Sequence, residues 1–160
     1  MNTEFATIDS MFNTNAQAFD KAIPGVPADK WLVCPSNNSN HLTWITGHVV
    51  VHRAFVAKML GHQWSAPWEK LFARGAQLVD PKQYPDPVEL QRNFKEISEK
   101  VASALSGISE ETLRKPVPKE QPSLDGTLGG SIALLCLHES IHVGQMTYLR
   151  KWLGYEPAFG

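Results

Sequence analysis

Near its C-terminal end the chain carries two histidines four residues apart, inside a segment with a helical pattern. The segment reads LLCLHESIHVGQMTYLRKW from Leu134 to Trp152. Alternating spacings of three and four place one set of its residues on a single helical stripe: Leu135, His138, His142, Gln145, Leu149 and Trp152. Helical neighbours at a spacing of four face each other at roughly 5–6 Å, so His138 and His142 can coordinate the same metal ion. A third ligand must then come from elsewhere in the chain.

A second histidine pair lies in the first half of the chain, in a segment that also predicts a helix. We expect Asn38 or Ser39 to cap this helix, which holds His41 in its first turn and runs to about Leu60, where Gly61 ends it. Its inward stripe reads His41, Ile45, His48, His52, Phe55 and Met59. Histidines packed together without a metal repel one another when protonated, so two inward pairs favour a metal site over ordinary core histidines.

Two further segments predict long amphipathic helices, and no segment predicts a convincing strand. The first helix runs from Thr3 to about Ala22, and the third begins at Asp86-Pro87 and ends at Gly107. Their apolar stripes are Phe5, Ile8, Phe12, Ala16, Phe19 and Ile23 in the first helix, and Leu90, Phe94, Ile97, Val101 and Leu105 in the third. Four such helices predict an all-α fold, an antiparallel four-helix bundle with long inter-helix connections.

The two long connections carry different patterns. Residues 61–85 contain APWEKLFARG, which predicts one or two helical turns packed over the bundle. We interpret the aromatic residues of this connection as a cap on the core rather than as a lid over a substrate pocket; they are Trp64, Trp68, Phe72 and Tyr84. Residues 108–125 are polar, contain three prolines and predict a loop.

Composition narrows the class of protein. The 160 residues correspond to one domain, residues 1–160, and a formal net charge of −1 without a basic run gives no support for nucleic acid or an anionic membrane as a partner. No window is apolar enough to span a membrane, and the N-terminus lacks the pattern of a secretory signal. Cys34 and Cys136 are too few for a disulfide framework. We therefore expect a soluble, cytoplasmic protein that acts on a small molecule.

Residues 138–142 read HESIH and match HExxH, the signature in which the glutamate of a zinc protease is the general base. The extended pattern requires a glycine and a third histidine where this chain has Gln145 and Tyr148. Only 18 residues follow His142, and Glu156 is the only acid among them. The third ligand is therefore expected upstream, and a metalloprotease is the least favoured interpretation.

Two stretches, NSNHLTWITGH and LHESIHVGQMTYLRKWLG, together with the lead-in TLGGSIALL, resemble the DinB-like superfamily, also described as YfiT-like. Its members are four-helix-bundle proteins regarded as metal-dependent enzymes. The resemblance extends over essentially the whole chain and implies a divalent metal held by three histidines, which are His48, His138 and His142 in this sequence. His52 is outside that pattern, which leaves it open as a fourth ligand, a support behind the ligands or a substrate contact.

Three imidazoles leave a divalent ion with an open position, as in catalytic rather than structural sites. Relatives in this superfamily include thiol-dependent S-transferases and isomerases that use low-molecular-weight thiols, and they often form homodimers. The resemblance thus implies a thiol-dependent S-transferase or a hydrolase, with Zn, Ni, Co or Fe as the ion and a thiol as co-substrate. The alternative is a non-catalytic metal-binding module for stress response or interaction, which a closed four-histidine site would favour.

No residue is assigned a catalytic role from the sequence, and the candidates are Glu139, Gln145 and His52. Glu139 is about 100° round the helix from His138, so it is expected to pair with a neighbouring element, with a role in proton transfer as the alternative. For Gln145, a hydrogen bond to a ligand and a plain helix contact are equally supported. His41 is expected to cap its helix or to be exposed.

Overall fold

Five α-helices make up most of the protein. The structure is a computed structural model that describes the backbone of residues 3–159 and the side chains of residues 6–159. The helices are α1 (Thr3–Ala22), α2 (Leu42–Met59), α3 (Pro87–Gly107), α4 (Glu110–Leu113) and α5 (Leu128–Trp152), and short 3₁₀ helices lie at Ala28–Lys30, Glu69–Phe72 and Pro81–Gln83. The residues described contain no strand, only an isolated bridge between Pro116 and Thr127. The predicted all-α four-helix bundle is therefore confirmed.

Local capping chemistry explains where the helices begin. Asp86 caps α3 by accepting a hydrogen bond from the Val88 N–H at 2.7 Å, with Pro87 at the first helical position. Thr127 caps α5 by accepting from the Gly130 N–H at 3.0 Å. α3 thus begins at the predicted Asp86-Pro87.

Of the caps expected for α2, Asn38 and Ser39 are wrong, and His41, which was expected to cap the helix or to be exposed, is the cap. Neither Asn38 nor Ser39 caps it, because the chain stays irregular up to His41 and the Ser39 hydroxyl bonds back to Ser36. The imidazole of His41 is the cap, and its Nδ1 accepts from the Trp44 N–H at 3.1 Å.

The bundle is arranged so that α2 and α5 are central neighbours. α2 packs against α3 and α5, while α1 packs against α5 and more lightly against α3. α2 and α5 are antiparallel, because Arg53 near the end of α2 bonds Glu139 whereas Ile45 near its start lies beside Leu149. No helix in the described part of the chain has the length and hydropathy needed to cross a bilayer.

The core faces of α1 and α3 largely follow the predicted stripes. All five apolar positions predicted for α3 are buried, and in α1 Phe12, Phe19 and Ile23 are buried while Ile8 and Ala16 are partly so. Phe19 stacks on Phe94 at a centroid distance of 3.7 Å. Phe5 lies outside the residues whose side chains are described.

The predicted inward stripes of α2 and α5 need correction. Phe55 is 41% exposed, Trp152 is 43% exposed and Gln145 is exposed. The buried stripe of α5 is displaced by about one residue and consists of Ile132, Cys136, Glu139, Val143, Met146 and Leu149. An acid occupies its middle because Arg53 of α2 neutralises it there, a pairing that the helical periodicity of one segment cannot reveal.

The two long connections differ in outcome. The first forms the expected short helix, Glu69–Phe72, and Trp64, Trp68 and Phe72 are buried in the core, as predicted. Phe72 lies directly on Gly47 of α2, where a Cβ would clash with its ring. The second connection is not all loop: Ser109 caps the short helix α4, which buries Leu113.

Candidate metal centre

Three histidines from two helices converge between α2 and α5. His48 comes from α2, and His138 and His142 come from successive turns of α5. The Nε2 of His138 lies 3.5 Å from the Nε2 of His48 and 3.1 Å from that of His142. One ligand atom from each residue lies within 4.8 Å of the others. Bonds of 2.0–2.1 Å from a tetrahedral ion would set neighbouring nitrogens about 3.3 Å apart, and the two short distances bracket that value.

The far sides of two rings are held by acceptors. His48 Nδ1–H donates to the Phe72 carbonyl at 2.7 Å, and His142 Nδ1–H donates to the Oε1 of Gln145 at 2.8 Å. Because a carbonyl oxygen can only accept, these bonds place the ring proton on Nδ1 and leave the Nε2 lone pair facing the cluster. His138 Nδ1 is buried without a hydrogen-bond partner.

Burial favours the neutral form of all three imidazoles, which is the form that binds metals. It lowers the pKa of His48, opposed by the bond to Phe72, and lowers the pKa of His142, opposed by the bond to Gln145. The pKa of His138 falls to about 4, first through burial and then through the charges of His142, His48 and Arg74. The donor set and its geometry fit a divalent ion, since the Nε2 lone pairs of His48 and His142 face the cluster and His138 Nε2 lies within 3.5 Å of both of these nitrogens.

His52 lies beside the cluster but does not offer it a nitrogen. Its ring centroid is 4.2 Å from those of both His48 and His138, at interplanar angles of 50° and 35°. The rings are tilted against one another, and the group of side chains that could share one ion includes His48, His138 and His142 without His52. Burial, followed by the neighbouring histidines, lowers the pKa of His52 to about 3.

Glu139, the acid of the HExxH match, turns away from the three histidines into the core. It is 2% exposed and binds Arg53 through both carboxylate oxygens: Arg53 Nε donates to Oε2 at 2.7 Å, and Nη2 donates to Oε1. This is the expected pairing with a neighbouring element. It leaves no free carboxylate for the general base of a metalloprotease.

Arg53 was not among the predicted site residues, although a lone arginine inside the apolar run VVVHRAFVA indicates that a buried acid faces it. Its guanidinium also donates to the Ser98 hydroxyl at 3.0 Å and the Phe12 carbonyl at 3.1 Å. It lies 5.0 Å and 4.6 Å from the ring centroids of Phe12 and Phe94. One side chain therefore ties α2 to α1, α3 and α5.

The other candidates take varied positions. Gln145 is exposed and bonds His142, which supports the ligand-contact interpretation over a plain helix contact. Cys136 is fully buried, and burial followed by the charge of Glu139 raises the pKa of its thiol to about 12. Cys34 is a half-buried free thiol. The Phe72 carbonyl had no signal in the sequence, because a backbone group on a long connection leaves none.

Comparison with known proteins agrees with the fold. The model of the DinB superfamily matches residues 11–146. Among solved structures, the conserved protein of locus from Enterococcus faecalis is similar in fold, with a TM-score of 0.72 at 16% identity over 94% of this chain and 96% of that one. No curated protein matches the sequence. The match over most of its length shows that the chain belongs to the DinB superfamily.

Proposed function

We propose that the chain is a metal-dependent enzyme in which His48, His138 and His142 hold a divalent ion. The observation that carries this proposal is that one ligand atom from each of the three histidines lies within 4.8 Å of the others. Phe72 and Gln145 orient two of the rings. Histidine ligands are commonly oriented in this way by hydrogen bonds to their outer nitrogens. When bound, such an ion supplies a Lewis acid that lowers the pKa of a water or thiol at its open position.

The protein surroundings favour an open rather than a closed site. His52 is not among the side chains whose nitrogens could share the ion, so a four-coordinate ion would keep one position for a substrate. His48 is 3% exposed while His138 and His142 are partly exposed, so the cluster reaches solvent along α5. These features support catalysis over the alternative of a non-catalytic metal-binding module.

The proposed reaction is thiol transfer to a small electrophile or hydrolysis of a small substrate. Arg74 lies close enough to His138 for its charge to lower the pKa of that imidazole. A positive charge beside the site stabilises an anion there, such as the thiolate of a low-molecular-weight co-substrate. Zn, Ni, Co and Fe all suit three imidazoles.

Elemental analysis and turnover test the proposal together. Purified protein should contain close to one equivalent of a divalent transition metal, and a screen of thiols against small electrophiles should reveal turnover that His142→Ala abolishes. His62→Ala is the matched control, because His62 lies outside the cluster. Full metal content without turnover on any thiol or hydrolysable substrate would favour the non-catalytic module, and protein without metal would overturn the proposed site.

We also propose that the protein is a homodimer that pairs through the outer face of α5. Leu137, Ile141, Tyr148 and Trp152 share this face and are 49%, 55%, 64% and 43% exposed. Such a contiguous apolar stripe on a helix is typical of an interface. Sedimentation should give a dimer for the native chain and a monomer for Ile141→Lys, whereas a native monomer at micromolar concentration would exclude the pairing.

A further inference from the structure

A cavity of about 330 Å³ lies between the N-terminal half of α2 and the C-terminal half of α5. It is lined by Pro35, Asn38, Ser39, Asn40, Ile45, Gln145, Tyr148 and Leu149. Ile45 is one helical turn before His48, and Gln145 is one turn after His142. The cavity therefore adjoins the three-histidine cluster, and its volume is at the lower end of the range for small-molecule sites.

The lining carries hydrogen-bonding groups but no charge. The side-chain amides of Asn38 and Asn40 form no hydrogen bond within the part of the chain that the structure describes. A charged ligand group would meet no counter-ion among these side chains, so the lining does not favour an anion or a cation. An uncharged group that both donates and accepts matches the paired donor and acceptor of each asparagine amide.

Gln145 connects this cavity to the cluster. Its Oε1 accepts the hydrogen bond from His142, so the Nε2 amide hydrogens of the same side chain remain free. A ligand that accepts from Gln145 would therefore be held by the same amide that orients His142. The aliphatic side chains of Ile45 and Leu149 cover the carbon framework of such a ligand.

We propose that this cavity binds the unreactive part of the substrate, an uncharged group of the carboxamide or hydroxyl type, with Gln145 as a binding residue. The inference rests on the proposed function, because the metal centre supplies the reacting end. A carboxamide and a hydroxyl group can each both donate and accept a hydrogen bond, and binding of separate probes distinguishes the two.

Nuclear magnetic resonance on ¹⁵N-labelled protein, zinc-loaded and zinc-free, tests the cavity directly. The probes are N-acetylglycinamide for the carboxamide, glucose for the hydroxyl, and acetate as the charged control. At least one neutral probe should shift the side-chain amide signals of Asn38, Asn40 and Gln145 saturably in both forms, while acetate leaves those of Asn38 and Asn40 unmoved. The inference is overturned if neither neutral probe shifts these signals, or if Gln63, an exposed glutamine elsewhere, responds equally. Failure to bind zinc would refute the metal centre. The titration of zinc-free protein would still test whether the cavity binds the neutral probes.

A substitution at Gln145 separates its two roles. Gln145→Glu keeps an oxygen to accept from His142 but removes the amide donors and places a charge in the cavity. Zinc content should stay at the native level, while probe affinity falls about tenfold, the effect of losing one well-made hydrogen bond. Gln63→Glu is the matched control and should change neither. Unchanged probe affinity in Gln145→Glu would overturn the role given to this residue.

Discussion

His52 places its ring 4.2 Å from those of His48 and His138, yet it contributes no nitrogen to the cluster. Helical spacing made it equivalent to His48, since both belong to one i, i+4 pair. What distinguishes them is the carbonyl of Phe72, which orients His48 alone. The backbone of a long connection therefore orients one member of the pair and not the other, which the sequence pattern of α2 cannot show.

Metal content of the histidine variants tests this distinction. His48→Ala and His142→Ala should each lose the metal, because two imidazoles hold a divalent ion far more weakly than three. His52→Ala should retain it, and so should His52→Phe, which preserves the ring contact. Mass-spectrometric metal analysis of the four purified variants checks this. A His52→Ala protein as empty as His48→Ala would contradict the three-ligand assignment.

His41 gives the fold a dependence on acid that is separate from the metal cluster. It is 4% exposed, and burial lowers its pKa from 6.5 to about 4. Between these values the unfolded chain binds a proton that folded His41 does not, so stability should fall as the pH drops from about 6.5 towards 4 and be unaffected by His41 above 6.5. The slope is at most about 1.4 kcal/mol per pH unit. Protonation at Nδ1 would also remove the acceptor that caps α2.

Replacing His41 with asparagine isolates this contribution, because asparagine is a good helix cap that does not titrate. Urea unfolding of native protein and His41→Asn, measured from pH 7.5 to 4.5, should show a shallower loss of stability in the variant. Parallel pH profiles for the two proteins would mean that His41 does not carry the dependence.

At the scale of elements, the ion pair of Arg53 and Glu139 connects four helices, and its energetics predict an asymmetry. Removing one partner leaves the other charge buried and unpaired, so Glu139→Leu or Arg53→Met should each cost about 3–5 kcal/mol. The double variant should recover much of that loss, because well-packed apolar residues often replace a buried pair at little cost. Denaturant unfolding of the four proteins gives the coupling directly. Additive losses in the double variant would show that the two side chains act independently.

The same pair determines how the HExxH match should behave. If Glu139 were a general base, Glu139→Gln would abolish turnover and leave stability intact. Because Glu139 bonds buried Arg53, we expect Glu139→Gln to lower the stability of the fold instead. The variant should retain its metal wherever it stays folded.

Elements whose fold depends on local pattern were the predictable ones. α3 begins at its capping aspartate and buries all five apolar positions expected of it. The spacing of apolar residues in an amphipathic surface helix is enough to predict which face packs on the core. In α5 the stripe was displaced, since a buried glutamate is tolerable only with an arginine 86 positions away in the chain. Partners that distant leave no periodic signal.

Across the whole molecule, the candidate site also has a part that the sequence predicts and a part that it does not. The convergence of a histidine pair of α2 with that of α5 follows from two inward faces packing together, whereas the choice of His48 over His52 came from the resemblance to the superfamily. The Phe72 carbonyl and the cavity beside Gln145 depend on the paths of two long connections, which side-chain patterning does not encode. Sequence reasoning therefore reached the ligand candidates but not the groups that orient them or the space beside them.

An ion shared by α2 and α5 would couple metal binding to the stability of the entire bundle, because the unfolded chain cannot bring the three imidazoles together. Ligand binding to the folded state alone adds about 2.7 kcal/mol at a free concentration 100 times the dissociation constant. Zinc added to metal-free protein should therefore raise the melting temperature in a concentration-dependent way, and a chelator should reverse the rise. His62→Ala should respond like native protein, whereas His142→Ala should melt at one temperature with or without zinc. If zinc still stabilised His142→Ala fully, the ion would be bound at another site and would not connect α2 to α5.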